Sequence, residues 1–228
     1  MATFTIVLLV IHVIGGFGAL ISGFIASVTR KGNGRHRGSG RAYFWSMTAV
    51  FITAVVLGVL KENWFLFMVG FFSYYLVVRG YRILHLKQLC RGQKAPVLDW
   101  AVATIGGLFG LALIGSSLRL LPNSFAPVPL VFGLICVGFA AKDVQLFIKG
   151  PKEKGHWIFG HIAGMGGGYI ATWTAFLVTN ITFLPPVVVW LAPTVIGSVC
   201  IGYTIFIWKK KLAPRKPAAV ATSLHSVL

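Results

Sequence analysis

Long apolar runs alternate with short polar breaks along the chain. Seven runs stand out, at about 3–28, 42–60, 64–86, 99–121, 127–148, 157–180 and 186–208. Each is near the roughly 20 residues that a helix needs to cross the hydrocarbon core of a bilayer. No break is long enough to hold a second domain. The pattern predicts an all-α, polytopic integral membrane protein: one seven-helix transmembrane domain over 1–208, then a basic tail over 209–228.

The polar breaks are not alike, and their charges predict an orientation. Arg30, Lys31, Arg35, Arg37 and Arg41 fall between the first two runs. Arg79, Arg82, Lys87, Arg91 and Lys94 end and follow the third. Lys149, Lys152 and Lys154 follow the fifth, and Lys209, Lys210, Lys211, Arg215 and Lys216 follow the seventh. These are 18 of the 21 basic residues, all on alternate connections. The other connections, Lys61-Glu62-Asn63, Pro122-Asn123-Ser124 and 182–186, are short and nearly uncharged. Cytoplasmic loops carry the lysine and arginine excess, so seven helices are expected with the N-terminus outside and the C-terminus cytoplasmic. The first positive charges come after the first apolar run, at Arg30 and Lys31, whereas a secretory signal carries them before it. The expected surroundings are a lipid bilayer, the inner or plasma membrane if the host is bacterial.

Composition narrows the class. Soluble chains carry about a quarter charged residues; here 11% are charged and 57% hydrophobic, with a mean hydropathy of +0.83. That excludes a soluble domain, a disordered tail and a coiled coil. The net charge of +17 is explained by topology, so no nucleic-acid partner is expected. Cys90, Cys136 and Cys200 form neither a CxxC nor an even framework, which predicts no disulfide or thiolate metal site. Gly106 and Gly110, like Gly164 and Gly168, are spaced for close helix packing. The run Gly164-Met165-Gly166-Gly167-Gly168 is also a place where a flat cofactor or a substrate path would fit.

Histidines carry the candidate chemistry. His12 lies within the first run, about 24 Å from its inner end at 1.5 Å per residue. His36, His85, His156 and His161 fall at the cytoplasmic side, with Asp99 and Asp143; His225 is in the tail. An ionisable group inside a spanning helix marks a functional site by default. Three readings use these groups. In the first, b-type haem is held by His85 and His161, with Arg79 and Arg82 as propionate or anion contacts; only one haem is accommodated, because His12 alone lies on the outer side. In the second, a metal is drawn from His36, His156, His161, Asp99 and Asp143. In the third, small-solute or proton-coupled transport uses His12 and Asp143. For the third, two hairpins look alike, Lys31-Gly32…His36…Gly40-Arg41 and Lys149-Gly150…His156…Gly160-His161, which suggests a three-plus-one-plus-three helix repeat. Asp143 is expected to pair with a basic residue of another helix, since its neighbour Lys142 does not share its face. The final run has no lysine for a retinal Schiff base, and no catalytic triad, phosphate loop or dinucleotide fingerprint appears. The redox or cofactor-binding reading leads; the partners are then a small-molecule substrate or a redox protein.

Two stretches carry a resemblance. Lys31-Gly32, His36-Arg37, Gly40-Arg41-Ala42-Tyr43 and Met47 form the first. The second is Asp143, Trp157, His161, Met165, Tyr169-Ile170-Ala171-Thr172, 174–178 and Asn180. Together they resemble a family of uncharacterised, mostly bacterial multi-pass membrane proteins with a domain of unknown function. The resemblance covers about half the chain. It implies seven helices and marks His12, His36, Asp143, His161 and Met165, without implying an activity. Gly166-Gly167-Gly168 stands where bulkier residues are usual in that family.

Overall fold

The computed structural model describes residues 2–153 and 155–213. They form seven long helices: α1 (Ala2–Val28), α2 (Gly34–Leu60), α3 (Trp64–Arg82), α4 (Val97–Leu120), α5 (Pro127–Lys149), α6 (His156–Asn180) and α7 (Pro186–Leu212). Six of them, all but α6, are long and apolar enough to cross a membrane, an all-α architecture compatible with a helical membrane protein. Lys154, Arg215, Lys216 and His225 lie outside the described residues.

The helix starts and stops follow local chemistry. α2 begins at Gly34, eight residues before the apolar run, so Arg35, His36, Arg37 and Arg41 ride on a helix rather than a loop. The Asn33 carboxamide caps it by accepting the His36 backbone N–H at 2.8 Å, satisfying one of the orphan donors at a helix start. Asn63 caps α3 in the same way through the Leu66 N–H. α3 ends four residues earlier than the apolar run, and the chain tightens into a 3-10 turn at Ile83–His85. His85 is therefore an exposed turn residue beside the Tyr81 ring, not a helical one. Gly155 precedes α6 with φ of +82°, a left-handed conformation that suits glycine.

α3 and α6 are the hub. α3 packs on α2, α4, α5 and α6, and α6 packs on α1, α3 and α7. α1 lies along α2, and α4 along α5. The expected three-one-three repeat would pack α5 on α6 as α1 packs on α2, yet α5 turns to α4, α3 and α7. The helix packing therefore does not repeat between the first three and the last three helices.

Glycines decide how close the hub helices come. Gly80 of α3 faces Gly164 of α6: a Cβ on Gly164 would lie 2.5 Å from the Gly80 Cα, and a Cβ on Gly80 would lie 2.5 Å from the Met165 backbone nitrogen. Gly168 is filled by Val77 and the Tyr43 hydroxyl, and Gly166 by Ile201. The glycine run of α6 is thus a packing surface, not the room for a flat cofactor that the sequence suggests. Gly106 receives the Tyr75 ring, and Gly110 meets Cys136 and the Gly133 carbonyl.

Candidate functional site

All four basic connections gather at one end of the bundle. Contacts across that end show it. His36 of α2 faces the end of α1 and the start of α6, the Arg82 guanidinium of α3 holds Asp99 of α4, His156 of α6 reaches the Leu86 carbonyl after α3, and Lys209 of α7 pairs with Glu153 before α6. We refer to this as the basic end.

Two imidazoles meet there from separate helices. The ring centres of His36 (α2) and His161 (α6) are 6.2 Å apart, and the rings are nearly perpendicular at 82°. His36 Nδ1 bonds the Ala26 carbonyl at 3.0 Å, and His161 Nδ1 bonds the Gly80 carbonyl at 2.8 Å. A carbonyl oxygen only accepts, so each Nδ1 carries the proton and donates it. In a neutral ring that leaves the lone pair on Nε2. Neither Nε2 has a hydrogen-bond partner among the described residues. Anchoring one ring nitrogen on a carbonyl is the outer-shell arrangement that fixes the tautomer and direction of a metal-ligating histidine. Lys31 closes the same corner: its ammonium donates to the Ala26 and Ser27 carbonyls at 2.9 and 2.5 Å. Partial burial against the helix end lowers the Lys31 pKa from its ordinary value.

The carboxylates are spent elsewhere. Arg79 grips Asp143 in two parallel bonds, Nε to Oδ2 at 2.9 Å and Nη2 to Oδ1 at 2.6 Å, and the Tyr75 hydroxyl donates to Oδ2 at 3.0 Å. Both side chains are about nine-tenths buried, and the guanidinium also lies 4.3 Å over the Phe139 ring. Arg82 holds Asp99 in the same bidentate manner at 2.8 and 2.9 Å. This corrects three expectations. Asp99 and Asp143 are ion-pair partners rather than members of a metal set with His36, His156 and His161. Arg79 and Arg82 are engaged by carboxylates rather than free for haem propionates. Asp143 is a closed, charge-compensated group rather than an open proton carrier. Its cross-helix basic partner, expected from the sequence, is Arg79. Among the described residues no three of His, Cys, Asp or Glu assemble into a metal-holding group.

The remaining histidines are anchored singly or exposed. His12 Nδ1 lies 2.9 Å from the Thr53 hydroxyl oxygen. That hydroxyl gives its own proton to the Ala49 or Val50 carbonyl, so His12 is the donor. His156 Nε2 donates to the Leu86 carbonyl at 2.9 Å. Sequence reasoning missed the groups that position these side chains: Tyr75, Thr53 and the Gly80 and Ala26 carbonyls. Tyr75, Arg79 and Arg82 are spaced i, i+4, i+7, which was the available sign of one polar stripe on α3. A cavity of about 350 Å³ lies between α6 and α7, lined by apolar side chains including Tyr169, Trp173, Leu177 and Pro193. No histidine lines it.

No family model matches the chain, and neither the curated proteins nor the solved structures contain a match to it.

Proposed function

We propose that this is an integral membrane protein of seven spans, with its N-terminus outside and its basic end in the cytoplasm. It holds a metal ion between His36 and His161 at that end. The observation that carries the reading is the pair of imidazoles, each with Nδ1 anchored on a backbone carbonyl and Nε2 left without a partner. A metal–imidazole bond of about 2.0 Å puts each ring centre roughly 3 Å from the ion, so rings held 6.2 Å apart are spaced to bracket one ion. The ligands come from helices rather than loops, which favours a fixed geometry. Two protein nitrogens leave positions open for a small molecule or a redox partner. The orientation rests on the gathering of the basic connections at one end. α6 supplies the seventh span: its 25 residues reach about 38 Å.

The test uses the full chain purified in detergent from cells supplied with haem and trace metals. Metal analysis and absorption spectra before and after dithionite are run on wild type, His36→Ala and His161→Ala. About one metal per chain, lost in both variants, is expected. A Soret band lost in the same variants would make the ion haem iron. A colourless, metal-free wild-type sample would overturn the reading.

A further inference from the structure

We propose that the ion held by His36 and His161 is copper(I), and that Met165 is its third ligand. This rests on the metal-binding reading above and goes further by naming the ion and a donor.

Met165 follows His161 by four residues on α6, so the two share a face one above the other. Helical side chains lean toward the N-terminus of their helix. Met165 therefore leans back over the turn that carries His161. Its side chain is half-buried and packs against the cluster of Ala19, Tyr43, Met47 and Val77, between α1, α2, α3 and α6. Its Cα is one turn inward of His161 on α6, and no hydrogen bond to its sulfur occurs among the described residues.

The charge around the site selects the ion. Every Asp and Glu side chain is placed elsewhere: Asp99 is held by Arg82, Asp143 by Arg79 and Glu153 by Lys209, and Glu62 is in the turn between α2 and α3, at the opposite end. The donors at the site are two neutral imidazoles and a thioether. A cation adjoins the site: the Lys31 ammonium is held on the same Ala26 carbonyl as His36. A divalent ion there would meet no compensating anion at the edge of a low-dielectric bundle. A monovalent ion is penalised less. Soft thioether donors favour copper(I), whereas zinc and iron sites with few protein ligands commonly recruit a carboxylate or thiolate. Two nitrogens and one sulfur make a three-coordinate site.

The experiment titrates full-length protein in detergent with copper(I) under reductant, against a chromogenic copper(I) chelator, and titrates zinc in parallel. X-ray absorption at the copper edge reads the ligand atoms. Met165→Leu preserves volume and apolar packing, so it separates a ligand from a filler. Wild type is expected to bind one copper(I) in preference to zinc, with a sulfur shell. Met165→Leu is expected to lose the sulfur shell and about tenfold or more in copper affinity, with unchanged zinc binding and thermal stability. Equal zinc and copper(I) affinity, or a Met165→Leu variant with the wild-type copper site, would overturn this inference and leave the two-histidine site standing. Failure of both metals to bind wild type overturns this inference, and with a colourless, metal-free purified sample it overturns both.

Discussion

Gly164→Ala tests whether the α3–α6 crossing sets the histidine geometry. The added Cβ would sit 2.5 Å from the Gly80 Cα, 2.7 Å from the Gly80 nitrogen and 2.9 Å from the Leu76 carbonyl oxygen. All three atoms are backbone, so no side chain can swing away. Ordinary contacts begin near 3.4 Å, so the two helices must part by about 1 Å. Over-packing of this kind costs about 1–3 kcal/mol. The same movement stretches the 2.8 Å bond from His161 Nδ1 to the Gly80 carbonyl beyond hydrogen-bond range, a further loss of about 1 kcal/mol. Alanine returns up to about 1 kcal/mol through helix propensity. The net loss is about 1–3 kcal/mol, or several degrees of Tm for a chain of this size.

The assay is thermal unfolding in detergent, with metal affinity measured on the same samples. Gly115→Ala is the control, because nothing lies within 4 Å of its Cβ position on α4. Gly164→Ala should lose several degrees and about tenfold in metal affinity, since His161 loses the carbonyl that fixes its tautomer. Gly115→Ala should lose neither. Equal Tm values for Gly164→Ala and Gly115→Ala would refute the argument that this crossing is held by backbone contact.

Three further outcomes follow from the same geometry. Asp143→Leu or Arg79→Met alone should destabilise the protein by about 3–5 kcal/mol, because each leaves a buried charge without its partner. The double variant should cost much less than the sum, and additive losses would show that the pair is not coupled. Cys90 is exposed at the basic end, while Cys136 is buried and Cys200 lies on the outward face of α7. A membrane-impermeant maleimide should therefore label Cys90 in inside-out vesicles and not in intact cells; the reverse would invert the orientation.

What the sequence made legible is what apolar run length controls. All seven helix ends at the uncharged side fall within one residue of the runs, because polar residues cannot stay in lipid and the chain must turn. α2 departs at its basic end for a physical reason. Arg35, Arg37 and Arg41 precede the apolar run but are good helix residues at a membrane surface, and Asn33 was the capping signal that marked the true start. Asp143 could be assigned a basic partner on another helix, because an unpaired carboxylate there is costly. Choosing Arg79 over other bases needed the packing of α3 on α5. His36 and His161 each stood out in an apolar chain, yet their meeting depends on how α2 and α6 approach, which no local pattern encodes. The apparent repeat came from glycine-ended basic loops, a feature that positive-inside topology produces wherever an inward helix turns back.

α6 ties these observations together. It is the one long helix not apolar enough to count as a membrane span, because it carries two histidines and five glycines from His156 to Gly168. A helix facing lipid could not carry them without losing the apolar contact that holds it there. The packing resolves the conflict. No residue from His156 to Thr172 is exposed, whereas α1 exposes apolar side chains such as Phe4, Ile14, Ile21 and Phe24 along its length. α6 is shielded by α1, α3 and α7, so its sequence is freed from the demand for apolarity that governs its neighbours. Its glycines bring the Gly80 carbonyl within reach of His161, and that bond leaves the other imidazole nitrogen free. The loss of hydropathy in α6 and the imidazole pair at its start are two consequences of one packing arrangement.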